Sequence, residues 1–112
     1  MSTRNPEPVE ISGITSKEIL PGFVGRFIHS ENMTFAYWDI SESAALPVHS
    51  HPHEQVVNML EGQFELTLDG KPHSLKAGDV LVIPSNVPHS GRAITDCRIL
   101  DVFQPTRDDY RV

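Results

Sequence analysis

The sequence predicts an all-β protein of the sandwich or barrel type, and three observations carry that expectation. Apolar residues recur at every second position from Lys17 onward. Nine prolines and seven glycines are spread along the chain and cut it into short segments. No segment carries a sustained apolar stripe of helical period. Short strands at near-regular spacing suit sheets folded over one core, as in a jelly roll. Closing the sheet also disposes of exposed edges.

Taken in order, the opening MSTRNPEPVE is polar and aperiodic with two prolines, so residues 1–15 read as a flexible arm and 16–112 as one folded domain. Met33, Phe35 and Tyr37 alternate with Thr34, Ala36 and Trp38, the period of a strand. Phe64, Leu66 and Leu68 alternate with Glu65 and Thr67. Asp69-Gly70 follows, a dipeptide suited to a two-residue hairpin turn, and a returning strand runs through Leu75. Lys76-Ala77-Gly78-Asp79 turns the chain into a strand over Val80–Ile83, which Pro84 stops. Cys97–Phe103 forms the last strand.

A chain of 112 residues makes one domain with a modest core. Its net charge of −6 argues against nucleic acid or an anionic membrane as partner, since both require basic patches. Cys97 is the sole cysteine, which excludes an internal disulfide and fits a reducing cytoplasm. Its small size suits the core better than a nucleophilic role. The N-terminus has no apolar signal core, and no apolar run approaches membrane-spanning length. A cytoplasmic protein is the expectation.

The chemistry concentrates in LPVHSHPHEQVVNMLEG, Leu46–Gly62. Residues two apart on a strand share a face, so His49 and His51 point to the same side. Two imidazoles buried together are costly unless a shared metal uses their lone pairs. Gln55 can return on the following strand and offer its amide oxygen. Downstream, Gly78-DVLVI-Pro84-Ser85-Asn86-Val87-Pro88-His89 brings one more imidazole after a strand and a tight turn. Three neutral nitrogens and an oxygen suffice for a divalent transition metal, with positions left open. His53 lies in the connecting turn and reads as a rim residue, and His29 and His73 as surface or satisfied core histidines.

His-x-His-x3-Gln-x6-Gly followed by Gly-x5-Pro-x-Asn-x2-His resembles the two sequence motifs of the cupin superfamily, over residues 46–89. The resemblance implies a small jelly-roll barrel of six to eight strands with one divalent metal inside (Zn, Ni, Mn or Fe). His49, His51, Gln55 and His89 then fall on the ligand positions, and a homodimer is implied. Two departures stand out: Gln55 replaces the usual glutamate, and Ala93 stands where an asparagine is frequent. A neutral amide leaves the metal its full double charge, which favours anionic ligands.

The last strand, Arg98-ILDVFQPTRDDY, narrows the reading. If Leu100 and Val102 pack outward, Asp101 points into the barrel, where a carboxylate is expensive without a task or a partner. Pro105 ends the strand and lets Arg107 fold back, either as an ion pair with Asp101 or as a ligand-binding group. Asp101-x-Phe103-x3-Arg107 with a glutamine-type metal site resembles the KdgF family of pectin and alginate breakdown. That resemblance implies metal-dependent ring opening of 4,5-unsaturated monouronates to linear keto sugars, an isomerase-type reaction on a small anionic sugar. Asp101, Phe103 and Arg107 would be active-site residues, Arg107 and Phe103 binding substrate. The competing expectations are an Fe(II) cupin dioxygenase and a non-catalytic sugar- or acid-binding cupin.

Overall fold

The computed structural model describes residues 6–111. Residues 1–5 of the expected arm lie outside the described residues. Ile11–Gly13 form one 3-10 turn, and the carbonyl of Ile14 accepts from Arg26 Nε at 3.2 Å.

Ten strands follow among the described residues: β1 (Lys17–Leu20), β2 (Phe23–His29), β3 (Thr34–Ile40), β4 (Ala45–His49), β5 (Glu54–Glu61), β6 (Gln63–Leu68), β7 (Lys71–Lys76), β8 (Val80–Ile83), β9 (His89–Ala93) and β10 (Cys97–Gln104). They form a six-stranded sheet, β1-β2-β3-β10-β5-β8, and a four-stranded sheet, β4-β9-β6-β7. The protein is all-β, as the alternation predicts. The count exceeds the six to eight strands implied by resemblance, because Lys17–His29 adds two whose alternation is broken by Pro21-Gly22 and Gly25.

The turns keep their sequence chemistry. Asp69 and Gly70 both have positive φ (51° and 79°), as a primed hairpin turn requires. Gly62, with φ 86°, turns β5 into β6 where a Cβ would strike the carbonyl of Asp96. Asp79 Oδ2 accepts from the backbone N–H of Lys76 at 2.9 Å and closes the loop into β8.

The core lies between the sheets. Phe23, Trp38, Ile40, Val57, Met59, Ile99 and Phe103 come from the larger one, meeting Phe64, Leu66, Leu75 and Ala93 of the smaller. On β3 the inward set is Thr34, Ala36, Trp38 and Ile40, which leaves Phe35 and Tyr37 facing outward. Cys97 is buried, its thiol directed at the Gln63 carbonyl, and burial pushes its pKa up.

Two peripheral features bear on association. On the outer face of the larger sheet, Ile28, Phe35, Val102, Val56 and Val82 stand in direct cross-strand register over five neighbouring strands. Because the two sheets meet face to face rather than through a continuous ladder, four edge strands remain: β1, β8, β4 and β7. Proline interrupts two of them, Pro47 within β4 and Pro72 within β7, while Pro21 and Pro84 stop β1 and β8 short.

Candidate metal centre

His49 ends β4 and His89 begins β9, and the two are cross-strand partners with ring centroids 4.2 Å apart. His51 follows β4, and the loop before β9 is tied to it: the N–H of Asn86 donates to the His51 carbonyl at 2.8 Å. Asn86 adopts φ 66°, a conformation that asparagine tolerates better than most residues. Gln55 enters from β5 of the opposite sheet, buried, with Oε1 3.0 Å from His51 Nε2. One ring nitrogen from each of His49, His51 and His89 lies within 4.8 Å of the others. The structure therefore brings together all four residues expected as ligands.

The rings are held in one tautomer by their own backbone. Nδ1 of His49, His51 and His89 lies 2.9, 3.0 and 2.9 Å from the carbonyls of Pro47, His53 and Val87. A carbonyl only accepts, so each Nδ1 carries the proton and each Nε2 presents a lone pair, the orientation seen in metal-binding histidines. His53 serves through its carbonyl. Its ring is half-buried rather than at the rim, edge-on to His51 and Phe103, with Nδ1 sealed from solvent and without a partner.

Two observations show that this set fits a cation. His89 Nε2 is buried without any partner. His51 faces the His53 carbonyl at Nδ1 and Gln55 Oε1 at Nε2, so with Nδ1 protonated two lone pairs meet at 3.0 Å in this orientation of the amide. Protonating the ring would resolve the conflict, but burial first, then the charge of Arg107, lowers the His51 pKa to about 4. His89 is lowered too, mainly by burial. A divalent cation shared by these lone pairs removes both frustrations.

The same cavity is walled by Asp101, Phe103, Arg107 and Tyr110. Asp101 and Phe103 take the inward parity of β10, with Phe103 directly opposite Gln55 on β5. Asp101 Oδ1 is sealed from solvent with no hydrogen-bond partner. Burial raises its pKa to about 7, against the pull of the Gln55 and Trp38 side chains and the charge of Arg107. Arg107 does not pair with Asp101. Its guanidinium binds Asp109, at 3.2 and 2.7 Å, and lies over the rings of Tyr110 (4.2 Å) and Phe103 (4.9 Å).

Tyr110 and Asp109 escape sequence reasoning. They follow Pro105, beyond the last alternating strand, where period two carries no information. Tyr110 belongs to a 3-10 turn, Asp108–Tyr110, stacks on Phe27 at 4.7 Å and meets Trp38 edge-on at 5.9 Å. Burial chiefly pushes its phenol up to about 12, so it stays protonated.

The sequence profile of the cupin domain matches residues 36–103. This chain is a cupin. Over 64 residues, 55% of the chain, it is 31% identical to the pectin degradation protein KdgF of Dickeya dadantii. Over 50 residues, 43% of the chain, it is 46% identical to quercetin 2,3-dioxygenase of Bacillus subtilis. The cupin chain spans 58% of the first of these relatives and 14% of the second. The structure of KdgF from a Halomonas species superposes with a TM-score of 0.87 at 25% identity, covering 94% of this chain and 98% of that one. The cupin is KdgF-like in fold, and its histidine cluster is a metal-site candidate. No helix among the described residues is long and apolar enough to cross a membrane.

Proposed function

We propose that this cupin opens the ring of 4,5-unsaturated monouronates released from pectin or alginate, in a metal-dependent isomerisation. The observation that carries the reading is Asp101: an inward-facing carboxyl on β10, one oxygen sealed from solvent and its pKa raised by burial, in the same cavity as the histidine cluster. Such a group can take a proton and give it back at neutral pH.

The substrate is a cyclic hemiacetal joined to an enol ether and carries a carboxylate. Asp101 accepts the anomeric hydroxyl proton as the bond from the anomeric carbon to the ring oxygen breaks, leaving an aldehyde and an enolate, and returns the proton to C4 to give the ketone. No electrons are gained or lost, so no redox partner is consumed. A divalent transition metal (Zn, Ni, Mn or Fe) held by His49, His51, Gln55 and His89 would supply Lewis acidity for the substrate's oxygens. Neutral Gln55, in place of an acid, leaves the positive charge of that end undiminished. Phe103 offers an apolar wall to the sugar ring, and Arg107 a charge-assisted contact to the carboxylate. The cavity, about 60 Å³, holds a few water molecules, so admitting a sugar ring requires it to widen.

Metal-loaded protein incubated with an unsaturated monouronate should remove the ene-carboxylate ultraviolet band well above the buffer rate. A rate equal to buffer ends the reading. The identity with quercetin 2,3-dioxygenase supports an Fe(II) oxygenase as the second reading, which oxygen consumption by the iron-loaded protein would reveal. Failure of both assays favours a non-catalytic sugar-binding cupin.

The partner we propose is a second copy of the chain, in the cytoplasm. The row Ile28, Phe35, Val102, Val56 and Val82 supports it, an uncharged band about 20 Å across at ordinary strand spacing. Val82 is 49% exposed and Val80, one position on along the same face, 61%. A two-fold axis sets such a band against itself. Light scattering of wild type and Val82→Glu should read dimer and monomer; a monomeric wild type refutes it.

A further inference from the structure

Asp109 is absent from the cavity lining and has no part in the chemistry above, yet it determines how Arg107 is held. Arg107 Nε donates to Asp109 Oδ1 at 3.2 Å and Nη2 to Oδ2 at 2.7 Å. The guanidinium lies over Tyr110 and Phe103, and its backbone N–H donates to the buried Thr34 Oγ1 at 2.9 Å.

A guanidinium carries five N–H donors in a rigid plane and can offer two N–H groups side by side along more than one edge. Asp109 fills the edge made by Nε and Nη2. Among the described residues the donors of Nη1 have no protein partner, so the Nη1–Nη2 edge stays available. The Asp109 side chain is 57% exposed and that of Arg107 only 13%, so the acid forms the outer half of the pair. Solvent screens its charge, while the arginine's charge persists in the less polar interior.

We propose that Asp109 is a positioning residue for anion recognition: holding the Nε edge of Arg107, it presents the Nη1–Nη2 edge to a carboxylate in the cavity. The inference rests on the reading of Arg107 as the carboxylate holder. A competitor role for Asp109, in which it blocks Arg107 until displaced, predicts the opposite sign of effect and so is separable.

The test uses D-glucuronate, a saturated uronate that the ring opening cannot consume, with binding to the metal-loaded protein measured by calorimetry. Asp109→Asn should weaken binding about 2- to 12-fold, the scale of re-ordering one long side chain, with an unchanged melting temperature. Asp109→Glu should recover part of the loss. In an Arg107→Ala background Asp109→Asn should add nothing, because its effect passes through the missing guanidinium. Tighter binding by Asp109→Asn overturns the proposal, as does an equal loss in the Arg107→Ala background. So does a wild type whose glucuronate affinity ignores Arg107→Ala or that binds no glucuronate. Turnover of the unsaturated uronate is scored separately: its absence ends the activity reading and leaves the binding cycle to decide on Asp109.

Discussion

His49 and His89 face each other across a β-ladder, each ring locked by a carbonyl two residues away. Arg107 and Tyr110, which line the same cavity, belong to a segment that has left the sheets. Stacked rings, an ion pair with Asp109 and one hydrogen bond to Thr34 hold them. The histidine end is thus positioned by main chain and the C-terminal end by side chains. A main-chain frame fixes coordinates that a metal needs. A side-chain frame can shift to admit a ring and close again. Asp101, on a strand, is influenced by both, by the Gln55 side chain and by the charge of Arg107.

Replacing His89 with alanine should break the main-chain end outright. The remaining two imidazoles and an amide bind weakly, so elemental analysis should find almost no metal and activity should vanish. Equal metal in wild type and variant removes His89 from the ligand set.

Asp101→Asn tests the group influenced by both. It should cost about 10²–10⁴-fold in activity with fold and metal kept. Its stability carries a signed pH dependence. The folded pKa of about 7 lies above the ordinary 3.8, so Asp101 must ionise at a cost as pH rises through that window. The asparagine variant should therefore gain in relative melting temperature between those two values and level off above the upper one. An advantage that does not change with pH contradicts the sealed carboxyl, and an activity loss of two- or threefold makes the residue structural.

At the C-terminal end, Arg107→Ala should lower kcat/KM about 10- to 150-fold, the worth of a charge-assisted contact, without displacing the metal. Arg107→Lys should restore only part, since a point charge lacks the planar fork. A marked fall in melting temperature with unchanged kinetics would make Arg107 a clasp and erase the functional contrast between the two ends.

The smallest effect should come from Gln55→Glu, which keeps the metal but lowers the site's charge by one. Uronate affinity should weaken while metal content stays equal or rises. Undiminished uronate affinity would show that charge at the histidine end does not select the ligand.

The same contrast explains what could be read in advance. Alternation places Thr34, Ala36 and Trp38 on one face and Asp101 with Phe103 on another, and Asp69-Gly70 announces its hairpin. All four expected ligands meet, because register and one turn suffice to bring them together. Arg107 was legible as a residue that returns to the cavity, but its partner was not. The sequence offered Asp101 as one alternative partner, whereas the 3-10 turn brings Asp109 to Nε and Nη2 of Arg107. Tyr110 had no signal at all, since its place depends on Phe27 and Trp38 from distant strands.

Pro47, Pro72, Pro21 and Pro84 have a consequence for growth of assemblies. Pairing two different edges leaves a free edge on each end, so that heterologous mode can propagate into filaments. Covering an outer face consumes the surface of both molecules and terminates. With prolines at its edges and an apolar outer face, the dimer proposed above would close on itself rather than grow.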